Sequence, residues 1–138
     1  MSASVKFRQV DFPHLHAGNH RDTSPADRSY NCIAWATGVD SAWWEPRNLS
    51  HDYKTTALVA LYESLGFIVC ADGSLEDGFE KIAIYSDGDE YMHAARQLEG
   101  GKWTSKMGPN EDIEHHSPED IANPCYGNVS IFMKRPRP

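Results

Sequence analysis

Apolar and polar positions divide the chain into a helical first part and a stranded second part. Residues 54–65, KTTALVALYESL, place Leu58, Leu61, Tyr62 and Leu65 on one face of a 3.6-residue period, and Gly66 follows as a stop. Residues 31–37, NCIAWAT, predict a short helix that ends near Gly38, with Asn31 or Ser29 as its N-cap. Beyond Gly66 the pattern changes. Residues 67–71 (FIVCA), 79–85 (FEKIAIY), 91–98 (YMHAARQL), 102–107 (KWTSKM) and 126–134 (YGNVSIFMK) each predict a strand. The Gly100-Gly101 pair predicts a hairpin between the third and fourth of these. Residues 108–125 are polar and predict a loop with a helical turn from Ser117-Pro118. Residues 5–12 predict a short strand, 13–29 a polar loop and 39–53 an irregular stretch. Helices first and strands later imply an α+β fold, with N-terminal helices packed on an antiparallel sheet.

Composition narrows the setting. A chain of 138 residues with no linker, repeat or low-complexity tract fits one domain over 1–138, its core at about 28–134. Its net charge of −7 argues against nucleic acid or an anionic membrane as partner. No apolar run is long enough for a membrane span, and Met1 to Phe12 lacks the apolar centre of a signal peptide. A cytoplasmic location is the default, with room for signal-independent secretion.

The 3 cysteines, Cys32, Cys70 and Cys125, form no CxxC pair, so each is judged by its surroundings. Cys32 opens the helix 31–37, where unpaired N–H groups and the helix dipole favour a thiolate. Its own N–H, with Asn31 or Tyr30, could steady an oxyanion. The competing reading is a small buried hydrophobe. Cys70 sits inside an apolar strand, and Cys125 in a loop. A nucleophilic thiol needs a base. Among 7 histidines only His93 stands on a predicted strand, which holds a side chain more firmly than a loop.

Around these two residues the chain resembles the papain-like cysteine peptidase superfamily in its compact NlpC/P60 form. Tyr30-Asn31-Cys32-Ile33-Ala34-Trp35 resembles the helix start that carries the nucleophile. Lys81 to Tyr85 resembles the strand before the histidine, and Met92-His93-Ala94-Ala95 the strand that bears it. The spacing of 61 residues from Cys32 to His93 suits that layout. The blocks NCIAWA, HAARQ, KWTSK and DIEH also resemble a family of small bacterial proteins without a settled activity. The resemblance departs at Asn31, which replaces an aspartate, and in the missing Ser-Gly after the cysteine.

The resemblance implies a papain-like fold and a catalytic triad whose third member lies on the strand after the histidine or just beyond. Asp112 is preferred there, because a carboxylate best stabilises an imidazolium. Ser105, Glu114 and His115 are the alternatives. The activity implied is a cysteine hydrolase or acyltransferase acting on a peptide or amide bond, with no cofactor. Deamidation and transglutaminase-like transfer share the same thioester.

Other residues bear on the substrate. Trp43 and Trp44 offer an aromatic wall, or else fill the core. Arg96, Gln97 and Lys106 offer a carboxylate site, or else an exposed sheet face. A second function class is a non-catalytic papain-like binding or effector module, such as a toxin with a partner or inhibitor protein. A third is metal binding through His14, His16 and His20.

Overall fold

The computed structural model describes residues 18, 20–23, 36–37, 54–106, 112–122 and 127–137. Of His20, Asp22, Lys106 and Asp112 it describes the backbone alone. The expected strand at 5–12, most of the expected helix at 31–37 and the irregular stretch 39–53 lie outside these residues.

The described residues form a mainly-β fold. Seven strands make one antiparallel sheet: β1 (His20–Asp22), β2 (Ile68–Cys70), β3 (Phe79–Asp87), β4 (Glu90–Gln97), β5 (Trp103–Lys106), β6 (Asp112–His115) and β7 (Asn128–Pro136). Their order across the sheet is β1-β6-β5-β4-β3-β7-β2. One α-helix, α1 (Thr55–Glu63), and one 3-10 helix (Pro118–Ile121) accompany them.

The expected α+β papain-like arrangement of helices on a sheet is therefore corrected. Two strands account for much of the difference. β1 lies in the stretch expected as a polar loop, and β6 lies in the polar stretch 108–125. Both are short and polar and lie at one side of the sheet, where backbone pairing rather than apolar alternation defines them. Arg21 opposite Glu114 ties the two together, Nε to Oε2 at 2.8 Å.

α1 forms where the apolar period predicts it. Leu58 and Tyr62 are fully buried, and Val59 and Leu61 pack beside them. Its end is fixed by Gly66 at φ 95, a conformation that costs a glycine little. Phe67 N–H then reaches Tyr62 O at 3.2 Å, and Gly66 N–H reaches Glu63 O at 3.0 Å.

The central strand β3 is covered on both faces. Residues Lys81 to Ser86 are all buried, so this strand reads as a continuous run rather than an alternation. On the helix face, Ile82, Ile84, Ala94 and Met133 pack against Leu58, Tyr62, Phe67 and Ala36. On the opposite face, Ala83, Tyr85, Ala95, Trp103, Ile113 and Ile121 make a second core. Ala83 and Ala95 lie opposite one another on the central strands and are small. Space above them lets the Trp103 and Phe132 rings meet, with centroids 6.1 Å apart. Each large apolar side chain so buried contributes roughly 1.5–3 kcal/mol.

Among the described residues, no helix is long and apolar enough to cross a membrane.

Candidate functional site

The sheet register brings polar side chains together on the face away from α1. Tyr85 on β3 lies opposite His93 on β4. β4 pairs with β5 through Gln97↔Trp103, and β5 with β6 through Trp103↔His115 and Ser105↔Ile113. Side chains alternate along each strand. His93, Ser105 and His115 therefore fall on one diagonal across three neighbouring strands. All three are fully buried.

The 3-10 helix fixes this diagonal from above. Asp120 accepts from the backbone N–H of Ser117 at 2.9 Å and of His116 at 3.0 Å, closing a capping box. Ser117 is thereby held with its carbonyl 2.8 Å from His115 Nδ1. A carbonyl only accepts, so Nδ1 carries the proton. In the neutral ring Nε2 is then the acceptor, and Ser105 Oγ donates to it at 2.8 Å. The next carbonyl, that of Pro118, accepts from the Tyr85 hydroxyl. The same short helix thus sets both His115 and Tyr85.

His93 meets the edge of the Tyr85 ring, with centroids 5.1 Å apart at 65°. Burial holds its ring well below the usual histidine range, and the positive charge available to His115 pushes it further down. His93 is therefore a neutral imidazole at pH 7. The Tyr85 hydroxyl is pushed well above its usual range by burial, with Glu119 and Asp120 adding to the effect.

The expected site residues divide into three groups. His93 stands on a strand, and Ser105 and His115 share its face. Glu114 alternates to the other face and pairs with Arg21, which holds its carboxyl below the usual range. Cys32, Tyr30, Asn31, Trp43, Trp44 and Cys125 lie outside the described residues, as do the side chain of Asp112 and the residues His14 and His16. Gln97, expected as a substrate contact, is buried and donates to Gly73 O at 2.8 Å. Cys70 is partly buried, and burial raises its thiol pKa. Among the described residues, no group of three His, Cys, Asp or Glu side chains is arranged to hold a metal ion.

Ala36 bears on where Cys32 can go. It is fully buried in the core of the helix face, among Leu58, Tyr62 and Ile84. His93 points to the opposite face.

The match to known families covers most of this unit. Residues 21–134 match the family described as Domain of unknown function (DUF7689). The chain belongs to this family. The DUF7689 match takes in α1, strands β2 to β6, the 3-10 helix and the His93–Ser105–His115 diagonal. No curated protein and no solved structure matches the chain.

Proposed function

We propose that this DUF7689 domain is a thiol-dependent hydrolase or acyltransferase acting on peptide or amide bonds. Cys32 is its nucleophile and His93 its base. The observation that carries this reading is the buried, neutral His93 beside a hydrogen-bonded Ser105–His115 pair on adjacent strands. A neutral imidazole takes a proton as general base, whereas a protonated one cannot.

The chemistry follows. A nitrogen of the His93 ring takes the Cys32 thiol proton as sulfur bonds to the acyl carbon. The carbonyl π electrons move onto oxygen, and return as the C–N bond breaks. The leaving amine takes the proton back from His93, which leaves a thioester. Water or a second amine then attacks the thioester, His93 removes its proton, and the thiol is restored. Ser105 and His115 act as positioning residues. The His115 tautomer, fixed by Ser117 O, keeps the Ser105 hydroxyl donating to His115 Nε2.

A second reading comes from another class: an interaction domain without chemistry, in which the polar diagonal fixes strand register. The burial of all three side chains and the seat of Ala36 on the opposite face favour it. One experiment separates the two. Acylation of the protein by p-nitrophenyl acetate is followed by mass spectrometry, in wild type and in His93→Gln. The hydrolase reading expects Cys32 acylation to fall by about 10²-fold or more in the variant. It also expects the wild-type rate to persist below the usual histidine pKa, because His93 stays neutral there. Equal Cys32 acylation in both proteins overturns the hydrolase reading and leaves the interaction domain.

A further inference from the structure

Residues two positions apart on a regular strand share a face. Two such pairs at the centre of this sheet do not. On β4, His93 lies on the Tyr85 face, whereas Tyr91 packs against the core of the helix face. On β7, Val129 packs against the Tyr85 core, whereas Ile131 packs on the helix face. The strand register gives the cause. Tyr85 pairs with His93 and Ser86 with Tyr91, which leaves Met92 as an extra residue on β4. Ile84 pairs with Ile131 and Tyr85 with Val129, which leaves Ser130 as an extra residue on β7. Each is a β-bulge, and the two flank β3 from both sides at Tyr85. Ser130 Oγ closes its own bulge, 3.2 Å from Ile84 O and 2.8 Å from Ser86 Oγ.

The packing needs neither extra residue. Met92 is 41 % exposed, and Ser130 is exposed as well. Removing either restores plain alternation and leaves Tyr91, His93, Val129 and Ile131 on the faces they now hold. What a bulge adds is a bend in its strand, a stronger local twist and a new aim for the side chain beside it. The side chain beside Met92 is that of His93. The residue enclosed by both bulges is Tyr85, whose ring meets the His93 ring and whose hydroxyl is held by the Pro118 carbonyl.

We propose that the paired bulges are the positioning device of this site, the residue inserted at Met92 setting the angle of the His93 imidazole against the Tyr85 ring. Met92 acts through its place in the backbone and not through its side chain. The effect on catalysis rests on the reading of His93 as the base. The effect on the ring angle does not. A rival use of the bulges lies at the hairpin tip, where Thr55 N–H donates to Asp89 O at 2.7 Å. Bending that tip onto the start of α1 would be a purely structural role.

The test compares the full wild-type chain with a deletion of Met92 and with Met92→Leu, which keeps the extra residue. The ring-proton shifts of His93 report its angle to the Tyr85 ring. They should move in the deletion and hold in Met92→Leu, with the His115 ring unchanged in both. Acylation of Cys32 by p-nitrophenyl acetate should fall about 10²-fold in the deletion, the cost of a misplacement of about 1 Å, and persist in Met92→Leu. Where the Met92 deletion does not fold, deletion of Ser130 carries the same test from the other side of Tyr85. A His93 ring unmoved by deletion, shifts confined to Thr55 and Asp89, or equal movement in Met92→Leu overturns the proposal. A moved ring with undiminished acylation, in a protein that His93→Gln inactivates, overturns the positioning role and leaves the hydrolase reading standing. Equal acylation in wild type and His93→Gln removes the hydrolase reading instead, and the ring shifts then decide the role of the bulges alone.

Discussion

Acid should destabilise this fold through His93 in a way that one substitution removes. The ring is fully buried, and burial together with His115 holds its folded pKa well below the usual value. In the unfolded chain a histidine titrates near pH 6.5. As pH falls the unfolded chain therefore takes a proton that the folded chain refuses. The stabilisation is complete above the unfolded pKa and drains away as pH drops toward the folded one. Between about pH 7.5 and about pH 5.5 one such group costs about 1.4 kcal/mol. For a domain of this size that lowers the melting temperature by roughly 5 °C. The assay is urea unfolding at a series of pH values, in wild type and in His93→Leu, which keeps an apolar side chain of similar bulk. The slope of stability against pH should be shallower in the variant by that amount, whatever its absolute stability. Identical slopes would refute the assignment of a neutral buried imidazole to position 93.

Further outcomes follow from single contacts. Gly127→Ala should cost about 3 kcal/mol or more by thermal melting, because a Cβ there would lie 2.1 Å from Ser86 O at a backbone φ of 74. Gly66→Ala, at φ 95 with open space around it, should cost only about 1 kcal/mol. Tyr85→Phe leaves the Pro118 carbonyl without its buried donor and should cost about 1–2 kcal/mol, with faster amide exchange over Ser117 to Ala122. Lys81→Met should release residues 71–78, since buried Lys81 Nζ holds Asp72 O at 3.0 Å and lies 3.6 Å from Glu76 Oε1. Amide exchange in that loop is the readout, with β3 protection retained.

The parts of this fold that read from sequence are those where burial imposes a period. α1 follows its apolar stripe to the expected stop, and β2, β3, β4, β5 and β7 fall within a few residues of their apolar runs. β6 did not read, because the stretch EDIEHHS shows one apolar residue among charges. Its burial pattern depends on His115, a polar side chain whose partners are Ser105 and a backbone carbonyl. A carboxylate is expected beside His93 because it stabilises an imidazolium, and the side chain of Asp112, the preferred one, lies outside the described residues. The described face offers Ser105 and His115 there, a hydrogen-bonded pair that no run of apolar residues announces. The two-sided core was also hidden. KIAIYS carries small and large apolar residues on both faces, a pattern that a one-sided sheet beneath helices would not need.

The most direct test of the thiol reading is whether Cys32 touches His93. Ring-nitrogen NMR spectra of wild type and Cys32→Ala answer it, with backbone amide shifts recorded on the same samples. The Cys–His pair predicts that the His93 ring nitrogens shift on loss of the thiol, while the Ser105–His115 hydrogen bond persists. An unchanged His93 ring, with shifts confined to Leu58, Tyr62 and Ile84 around Ala36, would contradict it.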